Sequence, residues 1–424
     1  MRILVYPHDL RMGGSQLNAI ELGAATQSLG HEVVLFGQPG PLADVAVSRG
    51  MEFVPAPIPG KRPSPAVISA LVRTVRERRV DILHGYEWPP ALECLAASKL
   101  VPGSTAVATV MSMAVAPFIP KSMPLMVGTG QIHQWEVSRG RGTVHVMEPP
   151  VDTEANQVST TPGLDAFTRA VGLTDRVLNV VCVTRLAYEL KLEGIMSAMD
   201  TVGLMSAERP VRLIIAGTGP ARDEVGARAA LVNAATGRET VTLTGELSDP
   251  RPAYAAADVV LGMGGSALRG LSFGKPLVVQ GERGFWELLT PRSLPTFLWQ
   301  GWYGSGPGTA GQGHEALGVI LRGLMDDEQL RNTLGVYGRK VVEERFSLES
   351  AAPRQLRLYQ DFAASRPAPA SILGSELAAA ARYAGYVGKR RYQRILKRLP
   401  MDDFNSRPVA MAATASTRSS EVRA

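Results

Sequence analysis

The chain has 424 residues, 45% hydrophobic and 20% charged, which fits folded domains with sizeable cores and excludes a largely disordered protein. Residues 366–424 hold 11 Lys or Arg and 4 Asp or Glu, a charge of +7 against +6 for the whole chain, so we expect a nearly neutral body without a nucleic-acid partner. No apolar run is long enough for a membrane span or a signal peptide, and two cysteines cannot form a disulfide framework, so we expect a cytoplasmic protein.

The first half of the chain alternates strand and helix patterns. The spacing is that of βαβ units and predicts a parallel sheet. Prolines at 149–150 and a Ser/Thr/Pro-rich stretch at 158–163 then break the pattern, so we predict a first Rossmann-like domain over residues 1–160. The predicted strands are 2–6, 31–36, 80–84, 105–110, 124–127 and 143–147, with helices at 14–29, near 65–78 and near 89–99.

The second half repeats the alternation and predicts a second Rossmann-like domain over residues 165–345. The stretch 301–313 contains six glycines and is predicted to be a loop. A further helix is predicted at 347–364, within a separate segment 346–365. The predicted strands are near 178–183, 211–216, 239–244, 258–261 and 276–279, with helices between them and at 314–325 and 328–345.

The basic tail, residues 366–424, carries one more helix pattern, at 375–399, whose second half is strongly basic. We interpret this helix as amphipathic and expect it to bind an anionic membrane surface. A solvated basic extension and a partner-binding helix remain alternatives, and residues 400–424 are predicted to be disordered. The residues assigned to the apolar face are Tyr383, Tyr386, Val387, Tyr392, Ile395 and Leu399.

Three predicted strands of the second half end in residues suited to a diphosphate. Arg185 and Lys191 follow the first of them, Gly217 and Gly219 follow the second, and a Gly-rich turn at 262–266 follows another. Parallel sheets bind ligands at the carboxyl ends of their strands, and cations with helix N-termini favour phosphate. The alternatives are a surface ion pair of the two cations with Glu189 or Glu193, and glycines required only by tight turns.

The first half has its own candidates at strand ends. Gly13 and Gly14 open a helix, where backbone N–H groups can approach a ligand. The candidates for catalytic residues lie on the same edge of the predicted sheet; for His84, a purely structural role is the alternative. These candidates are His84, Glu87, His8 and Asp9.

The order of these motifs over residues 1–365 resembles the retaining glycosyltransferases of family 4. Other matching pieces are GHEV at 30–33, Pro-Val-Asp at 150–152, AGTGP at 216–220, GKPLVV at 274–279 and the run 337–351. The resemblance implies the GT-B fold, an α/β architecture in which two Rossmann-like, doubly wound domains face each other across a cleft. It also implies that the 346–365 helix crosses back to the N-terminal domain.

The activity implied by the resemblance is sugar transfer from a nucleotide-diphosphate sugar to a glycan or lipid-linked acceptor, with retention and without metal or other cofactor. Cell-envelope or exopolysaccharide synthesis, on the inner face of the membrane, is the implied setting. The acceptor would enter near residues 111–120. The implied donor-binding residues are Gly13, Gly14, Arg185, Lys191, Gly217, Gly219, Gly264, Gly265, Ser266 and Arg269.

Two departures from the family concern the chemistry. Arg269 stands where the second glutamate of the family's paired-glutamate signature is expected, and Met111 lies where a histidine is often found. A cation cannot accept hydrogen bonds from ribose hydroxyls. Three explanations stay open: Arg269 binds phosphate, or it lies on the surface while backbone N–H groups of 264–266 hold the donor, or catalysis is lost. In the last case the protein would be a silent GT-B partner that binds a glycan or another transferase.

Overall fold

The computed structural model describes residues 1–11, 13–174, 177–365 and 369–396. It divides into two compact units, one formed by Met1–Pro150 and the chain from Leu348 onward, the other by Val151–Ser347. The predicted disordered segment, 400–424, lies outside the described residues.

The observed division differs from the predicted one at 151–160, which belongs to the second unit. Val151 donates its N–H to the Phe346 carbonyl at 2.7 Å, and Arg339 donates to the carbonyls of Thr153 and Asn156, each at 3.0 Å. These bonds tie the segment to the end of the second unit. Such long-range backbone contacts have no signal in a local sequence pattern.

The first unit contains a seven-stranded parallel sheet in the order β3-β2-β1-β4-β5-β6-β7. The short strand β3 was missed by the sequence analysis, because none of its side chains is fully buried. The strands are β1 (Arg2–Tyr6), β2 (Glu32–Gly37), β3 (Glu52–Pro55), β4 (Ile82–Tyr86), β5 (Thr105–Val110), β6 (Leu125–Val127) and β7 (Val144–Val146). The helices are α1 (Gly14–Ser28), α2 (Pro41–Ser48), α3 (Pro65–Arg78), α4 (Trp88–Leu100) and α5 (Gly130–Ser138).

Helices cover both faces of this sheet, so alternate residues of one strand enter different cores. In β1, Leu4 and Tyr6 pack in one buried cluster, whereas Ile3 and Val5 pack in the other. This is the two-sided burial expected of a parallel sheet, and it explains the nearly continuous apolar runs of its strands.

The second unit contains a six-stranded sheet in the order β10-β9-β8-β11-β12-β13, parallel except for the edge strand β13. Residues 301–312 form a loop with only isolated β-bridges, in agreement with the prediction from the six glycines at 301–313. The strands are β8 (Leu178–Val183), β9 (Val211–Ala216), β10 (Val241–Gly245), β11 (Val259–Gly262), β12 (Leu277–Gln280) and β13 (Trp286–Leu288). The helices are α6 (Leu164–Val171), α7 (Leu192–Met205), α8 (Arg222–Thr236), α9 (Arg251–Ala255), α10 (Gly265–Ser272), α11 (Leu294–Gln300), α12 (Gly313–Asp326) and α13 (Glu328–Arg345).

Both sheets have a point where the strand order reverses, between β1 and β4 in the first unit and between β8 and β11 in the second. The loops that follow these strands leave toward opposite faces, which opens a crevice at the carboxyl edge. Each unit therefore has one position where an open α/β sheet binds ligands.

Two helices complete the first unit. α14 (Leu348–Ala364) packs beside α1, and its Leu356, Tyr359 and Phe362 join the core on that face of the sheet. α15 (Pro369–Ile395) follows it. None of the helices in the described ranges combines the length and the apolar character that crossing a bilayer requires.

Candidate functional site

The switch point of the second unit carries a lysine at the start of α7. Lys191 is the N-cap residue of that helix, and burial lowers the pKa of its ammonium group to about 8. Within the described part of the chain, the ammonium has no hydrogen bond or ion pair. A desolvated cation without a counter-ion is costly to the folded protein and favours the binding of an anion.

Two residues that the sequence analysis missed hold Lys191 in place. The side-chain amide of Gln280, at the end of β12, donates to the Lys191 carbonyl at 3.0 Å. Gly194 makes room for that amide, because a Cβ there would lie 2.3 Å from Gln280 Nε2. In the sequence, the only local signals of this role are that Gln280 ends an apolar strand and that Gly194 lies in the first turn of a helix.

Arg185 follows β8 and is exposed. Its side chain makes no hydrogen bond or ion pair with any residue that the structure describes. Glu193, one of its two predicted ion-pair partners, instead accepts the backbone N–H groups of Arg283 and Gly284, at 3.0 and 2.6 Å. The surface ion pair considered from the sequence is therefore not formed, and Glu193 anchors the loop after β12.

Gly217 and Gly219 are explained by backbone packing. A Cβ at Gly217 would lie 1.9 Å from the Thr184 carbonyl oxygen, and one at Gly219 would lie 2.3 Å from that of Leu186. The loops after β8 and β9 thus pass in direct contact. This supports the turn requirement as the reason for the two glycines, and it holds the Arg185 loop against β9.

A cavity of about 620 Å³ opens beside these loops, at the carboxyl ends of β9 and β10. This volume lies in the range of small-molecule sites. Its lining combines apolar, hydroxyl and charged side chains and includes Leu186, Gly217, Thr218, Arg222, Leu243 and Glu246.

The Gly-rich turn after β11 is partly occupied by its own contacts. The Gly264 N–H donates to the Trp302 carbonyl at 2.8 Å, so this amide already has a partner in the structure. The Ser266 hydroxyl donates to the Met263 carbonyl at 3.0 Å and accepts its N–H at 3.1 Å. Gly265, the first residue of α10, stays a candidate for an anion contact through its backbone.

Arg269 lies in the second turn of α10 and is partly buried, which disfavours the surface explanation. Its Nη1 is 3.3 Å from the position of a Cβ on Gly265, so the guanidinium folds back toward the start of its own helix. A cation beside a helix N-terminus adds to the positive end of the helix dipole. The arrangement favours an anion there.

The first unit excludes His84 from the catalytic candidates. Its Nδ1 bonds to the Tyr359 hydroxyl and its Nε2 to the Thr109 hydroxyl, each at 2.6 Å, and the ring is fully buried. Burial lowers its pKa to about 3, so the ring is neutral. His84 is a structural residue that connects β4, β5 and α14.

Glu87 lies at the switch point of the first unit with a left-handed backbone, at a φ of 67°. Its carboxylate accepts the N–H groups of Met111 and Ser112, at 2.9 and 3.1 Å, and the Ser112 hydroxyl at 2.8 Å. Burial raises the pKa of Glu87, although the charge of His8 and these hydrogen bonds oppose the shift. Glu87 therefore positions the loop after β5, which includes Met111, the residue found in place of the expected histidine.

His8 and Asp9 follow β1 on the same edge and share one partner. The Gln16 amide donates to Asp9 Oδ1 at 2.8 Å and lies 3.1 Å from His8 Nε2. Burial opposes ionisation of Asp9, but the Gln16 hydrogen bond and the neighbouring charges hold its pKa below the usual range. Gly13 caps α1 and Gly14 begins it, next to this pair.

Comparison with known families gives the same division of the chain. The family model described as "Glycosyl transferase 4-like domain" matches residues 13–147, and the one described as "Glycosyl transferases group 1" matches residues 178–293. Together they cover more than half of the chain, one in each unit. The chain belongs to the GT-B glycosyltransferases. No curated protein matches it in sequence.

Solved structures place this glycosyltransferase in the GT-B fold. A glycosyltransferase from Rickettsia africae aligns with a TM-score of 0.69 at 14% identity, over 86% of this chain and 99% of the other. HepE of Anabaena, solved with UDP-glucose, aligns with a TM-score of 0.65 at 14% identity, over 85% and 100%. Starch synthase IV of Arabidopsis thaliana, bound to ADP and acarbose, aligns with a TM-score of 0.63 at 14% identity, over 86% and 100%. The predicted fold class is confirmed.

Each unit of this GT-B glycosyltransferase thus has its own set of candidate residues. The second unit contributes Lys191, Arg185 and the start of α10, and it has a cavity at the carboxyl ends of β9 and β10. The first unit contributes the His8–Asp9 pair and the loop held by Glu87. Within the described ranges, no three His, Cys, Asp or Glu side chains are grouped so that they could hold a metal ion.

Proposed function

We propose that this protein transfers a sugar from a nucleoside-diphosphate sugar to a glycan or lipid-linked acceptor, with retention and without a metal cofactor. The observation that carries the proposal is Lys191, a desolvated cation at the switch point of the second unit with its pKa lowered to about 8. A diphosphate is an anion of the right charge density for this position.

The chemistry that this site supports is stabilisation of a departing nucleoside diphosphate. Lys191 neutralises charge that develops on the leaving phosphate, and the exposed Arg185 adds a planar fork of donors. Arg269 and the start of α10 supply further positive potential, which favours the phosphate explanation of that arginine. The cavity beside Gly217 has room for the nucleoside.

The acceptor side is assigned to the carboxyl edge of the first sheet. His8 and Asp9 lie there beside the loop after β5, which Glu87 holds. Retention, cell-envelope polysaccharide synthesis and a position on the inner face of the membrane are supported by the resemblance to family 4. An NMR measurement of the anomeric configuration of the product tests retention.

A catalytically silent GT-B protein is the second candidate. Arg269 in place of the ribose-binding glutamate and the buried state of His84 favour it. Lys191 opposes it, because a protein relieved of donor binding gains nothing from a desolvated, unpaired cation.

Thermal shift against UDP, GDP, ADP and TDP and their common sugars, followed by turnover assays, tests the proposal. Ligand at about 100 times its Kd adds about 2.7 kcal/mol of stability. We expect a shift with one nucleotide that Arg185→Ala and Lys191→Met reduce strongly. The exposed arginine variant Arg238→Ala, in the same unit, serves as the control. No shift with any nucleotide, on folded protein, would favour the silent protein.

A further inference from the structure

The face of α15 that meets the first unit is aromatic. Tyr383 and Tyr386 pack around Phe118, with ring centroids 5.2 and 4.8 Å away, and around Trp88 at 6.1 and 6.0 Å. Ala379 on the same face is only 4% exposed. The sequence analysis assigned both tyrosines to a membrane-binding face; they are instead half-buried against the core of the first unit.

Polar contacts fix the same face. The Ser122 N–H donates to Ser375 Oγ at 3.0 Å, and the Tyr383 hydroxyl donates to the Arg62 carbonyl. Glu376, the one acidic residue in the sequence of α15, is paired with Lys99. The docked face therefore uses the only negative charge of the helix.

The opposite face of α15 is apolar and exposed. Tyr386 and Ile395 are nine residues, or two and a half turns, apart and so lie on opposite sides. Leu377 and Ile395 are five whole turns apart, and they are 64% and 74% exposed. Leu373 and Ala384 lie near the same line, and Arg391, five turns after Leu373, adds one cation to it. This set, Leu373, Leu377, Ala384 and Ile395, is the outward stripe.

Cations accompany the basic end of the outward stripe. Lys389, Arg391 and Arg394 are exposed, and no acid lies in this helix beyond Glu376. An apolar stripe with flanking cations is the pattern of a helix lying in the surface of an anionic bilayer. A second copy of this chain would present the same face, with no acid to pair with these cations.

The direction of α15 places its basic end at the acceptor edge. Glu376 contacts Lys99 near the end of α4, whereas Tyr383 and Tyr386 contact Trp88 at its start. α15 thus runs antiparallel to α4. Since α4 begins at the carboxyl edge of the sheet, the basic end of α15 extends past that edge.

We infer that the outward stripe of α15, with Lys389, Arg391 and Arg394, binds an anionic lipid bilayer while the aromatic face holds the helix on the first unit. This places a bilayer beside the loops that contain Arg62 and Phe118, where a lipid-linked acceptor presents its head group. The lipid-linked nature of the acceptor rests on the proposed function; bilayer binding does not.

Co-sedimentation of the full chain with vesicles of phosphatidylcholine, with and without phosphatidylglycerol, tests the inference. We expect pelleting only with the anionic vesicles, weakened by salt. Leu377→Glu with Ile395→Glu should reduce partitioning at least about tenfold, because two carboxylates would enter the bilayer surface. Leu204→Glu with Leu231→Glu is the matched control, since these leucines are 64% and 63% exposed in the second unit.

Charge-reversal variants give a second test in the same vesicle assay. Arg391→Glu with Arg394→Glu should weaken partitioning about thirtyfold or more. Arg238→Glu with Arg292→Glu, two exposed arginines of the second unit, should change it little. Melting temperatures of all variants verify that they fold.

Equal pelleting of wild type and both α15 variants would overturn the inference. So would a dimer in light scattering that Leu377→Glu dissolves while vesicle binding is absent, because the stripe would then belong to a second copy. Nucleotide thermal shift on the same preparations separates the two proposals. Absence of vesicle binding with an intact nucleotide shift would contradict only the inference on α15. Absence of any nucleotide shift with intact vesicle binding would contradict only the proposed function.

Discussion

The side-chain amide of Gln280 donates to the backbone carbonyl of Lys191 at 3.0 Å, which joins the end of β12 to the first turn of α7. Gln280 is 2% exposed, so the surrounding side chains restrict its movement. The position of the desolvated ammonium therefore depends on a strand that lies about 90 residues further along the chain.

Gly194→Ala tests this dependence. The new methyl would lie 2.3 Å from Gln280 Nε2, and relief requires movement of the glutamine or of the start of α7. We expect a loss of about 1–3 kcal/mol in the free energy of unfolding and about tenfold weaker nucleotide binding. Urea unfolding and titration calorimetry measure both. Gly323→Ala in α12, where a Cβ meets open space and which does not line the cavity, is the control and should not weaken binding.

Nucleotide affinity should fall at alkaline pH. Burial lowers the pKa of Lys191 to about 8, so above that pH the free protein loses the proton that diphosphate binding requires. We expect Kd to rise about tenfold per pH unit above 8. Lys191→Arg keeps its charge and should remove the inflection. An unchanged profile in that variant would assign the pH dependence to another group.

His84 should make the free energy of unfolding depend on pH. Its folded pKa, about 3, lies below the ordinary value of 6.5, so the unfolded chain binds the extra proton between these values. Stability is therefore complete above about pH 6.5 and falls by about 1.4 kcal/mol per pH unit as the pH drops toward 3. Urea unfolding from about pH 4 to about pH 7 measures the slope. His84→Gln should lower the slope by about one proton, and an equal slope would contradict this account.

Gly217→Ala should damage the fold more than the binding site. The residue has a φ of 145°, and a Cβ would lie 1.9 Å from the Thr184 carbonyl oxygen. We expect a loss of more than about 3 kcal/mol in the free energy of unfolding, seen as a lower urea midpoint. A stable variant that only loses nucleotide binding would instead show that Gly217 leaves space for a ligand.

Glu87→Gln should loosen the loop after β5. An amide keeps one acceptor oxygen but replaces the other with a donor, so it cannot accept both the backbone N–H groups and the Ser112 hydroxyl. We expect weaker acceptor binding with little change in nucleotide affinity. Steady-state kinetics with varied acceptor, beside a nucleotide titration, separate the two effects.

The sequence by itself determined the strand–helix alternation, the two parallel sheets and the position of Arg185 and Lys191 at a strand end. These features depend on local apolar periodicity and on turn residues, which act within a few positions of the chain. The same reasoning missed β3 and β13, because both are short and lie at sheet edges with weak patterns.

Only the tertiary structure decided which candidates can act. His84 is enclosed by Thr109 and Tyr359, and Lys191 is placed by Gln280, partners that lie 25 to 275 residues away. Contacts with Trp88 and Phe118 likewise decide which face of α15 is docked and which is exposed. The helical pattern of the sequence alone does not reveal these contacts. Desolvation and hydrogen bonding act over a few ångströms in space, so the chemistry of each side chain follows from neighbours that the fold brings together.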